Sequence, residues 1–386
     1  MSIIARLRAA QRPAPALVTT GAPHVRAVDS SAAYYRRVQL ALLPSLLFGG
    51  FNVGLQANRA LAELGRSQVS GWRGSLLELL GVGLDPERVL DCALHGALYL
   101  LPLWLVSYTV GSLWEHGFAR LRKRALLPGL GLFALLFTLC LPPGLPLWQA
   151  ALGISCGVVF GKEVFGGTGY HFVHPVLVGL AFLAVSYPDQ VSGAEAQVAV
   201  HGFAMPSDLN LAAAGGIEAV RAQGAGWYAS FMGTVPGPLG VTSTLACSVG
   251  AVYLLAVRAI SWRILLGALL GLASAAQLLS WTSGSALPGA DLPWYRQLTL
   301  GSSAFILVFI ATDPTSAANT RTGRWLYGFL IGALIIVIRV GSPDHAEEAT
   351  LAVLLGSVFA PLIDHGVVRL HIRKRRRRFE NSGETR

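Results

Sequence analysis

The chain has 386 residues, of which 53% are hydrophobic and only 13% charged, about half the charged share of an ordinary soluble domain. That balance excludes a disordered chain, a disulfide scaffold and a soluble enzyme. It implies an all-α polytopic membrane protein, because a helix needs about 20 apolar residues to span a hydrocarbon core and this chain supplies many such runs.

In chain order, residues 1–37 read as a cytoplasmic N-terminal extension, with no apolar signal-peptide stretch before Arg37. Ten apolar runs follow, at approximately 38–57, 90–114, 125–142, 146–163, 171–188, 239–257, 261–282, 297–312, 325–341 and 348–367. Gly49, Gly50, Asn52 and Gly54 dilute the first. Ten spans put both termini on one side. With that side cytoplasmic, the inside segments hold 23 of the 30 lysines and arginines, as the positive-inside rule requires. The basic tail, 368–386, contains RLHIRKRRRRF and reads as a stop-transfer cluster facing anionic lipid, not as a nucleic-acid arm.

The outer segment 189–238 divides the chain into a first five-helix repeat, 38–188, and a second, 239–367. An odd number of spans per half forces the halves into opposite orientations, the layout of inverted-repeat transporters. LCLPPGLPLW (139–148) and IATDPTSAANT (310–320) are a faint echo of such a repeat, each with a proline just past an apolar run. Glycine and proline within the spans predict broken helices enclosing something, because irregular backbone at membrane depth needs a protein or cavity cover. Cys92, Cys140, Cys156 and Cys247 lie in separate spans without CxxC spacing and read as small buried hydrophobes. A cluster shared with a second subunit stays open.

Two segments carry chemistry. In GKEVFGGTGYHFVHP (161–175), Gly161, Gly166, Gly167 and Gly169 allow close backbone approach to a ligand, and Glu163 is an ionisable group at the membrane border. An ordinary turn with a solvated glutamate is the competing reading. In PGPLGVTSTLAC (236–247), a Pro/Gly turn leads to Thr242, Ser243 and Thr244, expected in the first turn of the sixth helix. Free amides there favour a phosphate, although a plain Ser/Thr cap needs no ligand. Asp313, Asp364 with His365, and Glu115 with His116 are proton or cation stations, or hydrated charges at span boundaries.

TGAPHVRAVD (20–29), FGGFNVGLQANRAL (48–61), GWRGSLLELLGVGLDP (71–86), HGALYLLPLWLVSYTVG (95–111), LPLWQAALGISCGVVFGKEVFGGTG (145–169), PGPLGVTSTLACSVGAVYLL (236–255), ATDPTSAANTRTGRWLYGFLIGALIIVIRV (311–340) and FAPLIDH (359–365) occur in this order. Together they resemble the NqrB subunits of the sodium-translocating NADH:quinone oxidoreductases. The resemblance implies a bacterial inner-membrane component of a hetero-oligomeric complex, in contact with lipid, quinone and the other subunits. It implies FMN held covalently by a phosphoester at Thr242, with Gly237, Gly240 and Ser243 around the phosphate, and a non-covalent riboflavin. Electrons would pass from FMN through riboflavin to ubiquinone, coupled to Na+ transport. Glu163, Gly166, Gly167 and Gly169 are then candidates for the quinone or riboflavin site, and Asp313, Asp364 and Glu115 for the ion path.

The chain departs from the family pattern at several points. Val241 stands where the family has glutamate, Pro238 where serine is common, His174 for an asparagine, Leu180 for an arginine and His201 for an aspartate. The RnfD subunits of the Rnf ferredoxin:NAD complexes share the second-half motifs but lack the long 20–89 region. A flavin-free channel or transporter on the same fold is the other alternative. The topology is directly testable: a reporter fused after Arg378 should report the cytoplasm and one inserted within 195–225 the periplasm. The opposite sidedness at either point would refute the ten-span arrangement.

Overall fold

The computed structural model describes residues 31–66, 68–126, 128–222, 226–283, 289–290, 292–341 and 348–383. Most of the expected N-terminal extension, with the TGAPHVRAVD motif, lies outside the described residues, as does the end of the basic tail. Every regular element described is helical. Ser31–Ala41 (α1) continues into Leu43–Glu63 (α2), giving a 33-residue stretch in which Pro44 sits harmlessly in the first turn of α2. Trp72–Leu79 (α3) and the 33-residue Val89–Leu121 (α4) follow. The first half closes with Leu130–Cys140 (α5), Leu147–Val158 (α6) running into a π-helical turn at Val159–Glu163, and Pro175–Ser186 (α7).

The intervening outer segment contains Pro188–Ser192 (α8), Asp208–Ala222 (α9) and Trp227–Met232 (α10). Beyond it lie Thr244–Ala256 (α11), Trp262–Ser283 (α12), Trp294–Thr299 (α13) and Ser303–Phe305 (α14), the last continuing as a π-helical turn at Ile306–Ile310. Arg321–Gly341 (α15) and Glu348–Gly383 (α16) complete the chain.

Helix occurs at each of the ten expected places, but not at equal length. Among the described residues, 5 stretches are long and apolar enough to cross a membrane: Ser31–Glu63, Val89–Leu121, Trp262–Thr282, Arg321–Gly341 and Glu348–Arg378. The 11-residue α5 rises only about 16 Å, roughly half a hydrocarbon core. The other expected spans are likewise cut short, by Pro142, Pro143 and Gly144 after α5, Pro146 before α6, Pro175 at the start of α7, and the turn that ends at Ser243 before α11.

Long and short helices occupy different places. Nine of the eleven α5 residues are buried, Phe133, Leu136 and Phe137 almost completely. The long α4 instead exposes Leu94, Leu101, Leu105 and Leu113, the side chains expected to face lipid. The short α5 therefore lies in the centre, while α4 presents one face outward. This supports the expected broken helices, whose ends need protein cover.

Small residues set the close crossings. A Cβ at Gly54 would fall on the carbonyl of Cys92, and one at Gly96 on the carbonyl of Gly50, so α2 and α4 touch backbone to backbone. The α12–α15 crossing repeats the device, with Gly271 against Phe329, Gly328 against Ile264 and Gly332 against Ala268. The glycines that dilute the first span are thus its packing surface. Gly54→Ala should destabilise the solubilised protein by about 1–3 kcal/mol or more through overpacking. Gly50→Ala, whose Cβ would meet nothing within 4 Å, should leave the thermal midpoint within about 0.5 kcal/mol of the parent.

Candidate functional site

The PGPLG turn is threaded between the two halves of the chain. Leu239 N donates to Leu141 O at 2.9 Å and Gly240 N to Leu139 O at 2.8 Å, so the turn lies along the C-terminal end of α5. Only glycine fits at several of these positions. A Cβ at Gly240 would strike Leu139, one at Gly237 would come within 2.8 Å of Thr242 Cγ2, and one at Gly49 on α2 would strike Leu239 O. Asn52 and Gln56, one turn apart on α2, hold the preceding strand of chain. Asn52 Nδ2 donates to Val235 O at 3.0 Å and to Thr242 Oγ1 at 3.4 Å, and Gln56 Nε2 donates to Thr234 O at 2.9 Å.

The structure corrects one expectation here. Thr242 is not in the first helical turn. Helix α11 begins at Thr244, and Ser243 is its cap, its Oγ accepting from Ala246 N at 3.2 Å. Capping satisfies one of the free amides of the helix end, which moves the start of the helix two residues beyond Thr242.

Thr242, Gly237 and Pro238 line a narrow cleft. Its other walls are Gln197, Ser207 and Asp208 from the outer segment and Thr299, Gly301 and Ser302 from the second half. Gly240 and Ser243 support this lining without belonging to it. Two polar atoms on the walls, Gln197 Oε1 and Ser302 Oγ, are buried with no hydrogen-bond partner. Burying such atoms unpaired is costly, so they are suited to a polar ligand. Burial pushes the Asp208 carboxyl above its ordinary range, against the opposing Ser230 hydrogen bond and Arg296 charge.

The GKEVFGG segment forms a second cleft, of about 380 Å³, with Glu115, Arg122, Lys162, Glu163, Gly166, Gly167 and Thr168 on its walls. Gly166 and Gly167 take φ of 118° and 98°, values open to glycine, as the chain turns out of the π-helical segment. Gly169 has φ of 92° but does not line the cleft. Lys162 is 1% exposed and pairs with Glu115 across from α4, with Glu163 Oε1 at 3.9 Å. Arg122 Nη1 lies 3.5 Å from Glu163 Oε2. The competing reading of a solvated Glu163 fails, because this carboxylate is 7% exposed.

Asp313 belongs to a third cluster. Its Oδ2 lies 3.6 Å from His171 Nε2, and His171 and His174 pack edge-on against Phe133 with centroids 5.8 and 5.4 Å away. Both imidazoles are 1% exposed. Both ring nitrogens of His171, Nδ1 of His174, Asp313 Oδ2 and Ser316 Oγ lack hydrogen-bond partners. Asp364 is spoken for: it accepts from Asn319 N at 2.7 Å, Thr320 N at 3.0 Å and Thr320 Oγ1 at 2.6 Å, latching the ATDPTSAANT loop to α16. Of the departures from the family pattern, Val241 and Leu180 are buried, while His201 is exposed with its carbonyl accepting from Arg66 at 3.1 Å.

Sequence reading misses Lys162, His171, Asn52, Gln56 and Asp208 as site residues. A lysine beside Glu163 inside an apolar run is a signal for the first. The others become visible only when the two halves pack.

The NQR2, RnfD, RnfE family model matches residues 18–373. Proteins named as the NqrB subunits of Na(+)-translocating NADH-quinone reductases are similar over nearly the whole chain. That of Pseudomonas aeruginosa (strain LESB58) is 44% identical over 363 residues, covering 94% of this chain and 90% of its own length. That of Ectopseudomonas mendocina is 45% identical over 364 residues, with the same coverage. That of Chromohalobacter salexigens is 42% identical over 364 residues, covering 94% and 88%.

The buried charges supply a test. Lys162→Met removes the counter-ion of Glu115 and should cost about 3–5 kcal/mol, the usual penalty for leaving one member of a buried pair. Replacing both, Lys162→Met with Glu115→Met, should recover most of that loss, because Glu163 keeps Arg122. A double-mutant cycle on thermal stability measures the coupling. Additive single losses would show that the pair is not a unit.

Proposed function

The chain belongs to the NQR2, RnfD, RnfE family, and from that premise we propose that it is the membrane flavoprotein subunit of a sodium-pumping NADH:quinone oxidoreductase. It would work in a bacterial inner membrane with both termini cytoplasmic, beside the other subunits of the complex. The observation that carries the reading is the Thr242 cleft. Its hydroxyls and the unpaired Gln197 Oε1 and Ser302 Oγ suit an FMN with an esterified phosphate. Riboflavin is assigned to the neighbourhood of His171, His174 and Asp313, whose buried polar atoms lack close hydrogen bonds. Quinone is assigned to the cleft bordered by Glu163, Gly166 and Gly167. Bound there, the flavins supply the electron-transfer chemistry that no amino-acid side chain offers.

This chain's own residues do the positioning. Asn52 and Gln56 hold the Thr242 turn in place, and Gly237 keeps the space over Thr242 clear. For the coupling ion, Glu115 and Asp313 are buried carboxylates, whereas Asp364 has both oxygens engaged by the Asn319–Thr320 turn. The halves share a pattern that supports two inverted repeats. The second and fourth helical positions pack together in each half (α4 on α6, α12 on α15), and so do the fourth and fifth (α6 on α7, α15 on α16), whereas the first and second pack closely only in the first half (α2 on α4).

The resemblance points to Thr242 as the flavin acceptor, but accessibility favours a second hydroxyl. Thr242 is 7% exposed and receives the Asn52 amide. Ser207 lines the same cleft and is only half-buried, its Oγ accepting from Asn210 N just before a helix that breaks at Gly215 and Gly216. An external transferase reaches Ser207 more easily. With the flavin transferase co-expressed, the wild-type band should fluoresce under ultraviolet light in a denaturing gel. Darkness in Thr242→Ala alone assigns the ester to Thr242, and darkness in Ser207→Ala alone assigns it to Ser207. A dark wild-type band would refute covalent flavin in this chain.

A further inference from the structure

Arg339, near the end of α15, is 6% exposed, and its guanidinium ties three elements together. Nη2 meets Glu348 Oε1 at 2.5 Å, at the start of α16. Nη1 donates to Gln297 O and Gln297 Oε1, both at 2.6 Å, and Nη2 also donates to Ser303 Oγ at 2.7 Å and Leu300 O at 3.3 Å. Gln297, Ser303 and Glu348 are fully buried.

Four of these five contacts fall on one short piece of chain, 297–303, and that piece is a wall of the Thr242 cleft through Thr299, Gly301 and Ser302. It has little regular structure of its own: α13 ends at Thr299, and Gly301 takes φ of 61°. A Cβ at Gly301 would lie 3.0 Å from Leu209 and 3.4 Å from Glu348 Oε1, so the wall is wedged between α9 and the ion pair. A planar fork with donors in fixed directions can hold several carbonyls in one arrangement, which a lysine ammonium cannot.

We infer that Arg339, held by Glu348, is a positioning residue that fixes segment 297–303 as one wall of the Thr242 cleft. The inference rests on the proposed function for the identity of the cleft's ligand, but not for the geometry. Glu348 supplies the charge that lets the guanidinium stay buried, and the guanidinium supplies the directional hydrogen bonds that the wall lacks.

The test uses the intact complex and a readout independent of flavin. Ser302→Cys places a thiol on the wall, and a membrane-impermeant maleimide reports its exposure, read at residue 302 by peptide mass spectrometry. Adding Arg339→Lys should raise the labelling rate on the order of tenfold or more, as local opening becomes easier. Adding Arg88→Lys, at an exposed arginine, should not. Should Arg339→Lys fail to assemble, Arg339→Met with Glu348→Leu removes both buried charges together and should still label fast. In flavin-loaded complex, Arg339→Lys should also shift the midpoint potential of the cleft flavin. Labelling at the parental rate in the variant that assembles overturns the inference. A wild-type chain without flavin overturns the proposed cofactor instead, and leaves the labelling result to stand alone.

Discussion

Backbone amides and carbonyls at membrane depth must find partners within the protein, because hydrocarbon offers none. The arrangement of long and short helices follows from that constraint. A helix such as α5, with eleven residues, is too short to cross a hydrocarbon core and leaves carbonyls and amides at its terminus. Here the C-terminal end of α5 is met by the PGPLG turn, whose Leu239 and Gly240 amides donate to Leu141 and Leu139. Two interruptions, one from each half, satisfy each other. A broken helix such as α5 is therefore tolerable where other backbone covers its end.

The same constraint makes α2 the organising helix. Its glycines admit α4 on one side and the Leu239 carbonyl on another, while Asn52 and Gln56 reach carbonyls of the chain that precedes the turn. An apolar α2 would pack as well against lipid but would leave Thr234 and Val235 without those donors. Polar residues in a span are costly unless paired, and these are paired with irregular backbone. Packing and site-building are one set of contacts.

The positions of the ten helices are legible in the sequence, because hydropathy reads burial and lipid contact alike. Their heights are not, since a half-helix and a full span have the same composition when flanking loops are apolar. Leu141 and Leu145 are as buried as the helices beside them. Of the candidate site, the glycine turns and Thr242 are legible, since Pro and Gly mark irregular backbone wherever it occurs. Asn52, Gln56, His171 and Ser302 are not, because each meets its neighbours across a long sequence separation. Asp364 is legible as a carboxylate at the end of an apolar run, but its hold on the Asn319–Thr320 turn is not, because that turn lies more than forty residues away in sequence.

The departures from the family pattern separate into two kinds once burial is known. Val241 and Leu180 put apolar side chains at buried positions, 2% and 1% exposed. Apolar side chains there avoid the desolvation cost a charged group would meet, and they pack without leaving a polar atom behind. His174 does the reverse. It keeps polarity in a fully buried position, beside a second buried imidazole and Asp313, with an Nδ1 that no group among the described residues satisfies. Packing alone gives no reason to hold such atoms there, since an apolar ring of similar size against Phe133 would avoid the cost. His171, His174 and Asp313 gather several unsatisfied polar atoms around Phe133, a second such group besides Gln197 and Ser302 at the Thr242 cleft. Those are the places where a polar ligand would gain most from binding, because it would restore the hydrogen bonds that folding removes.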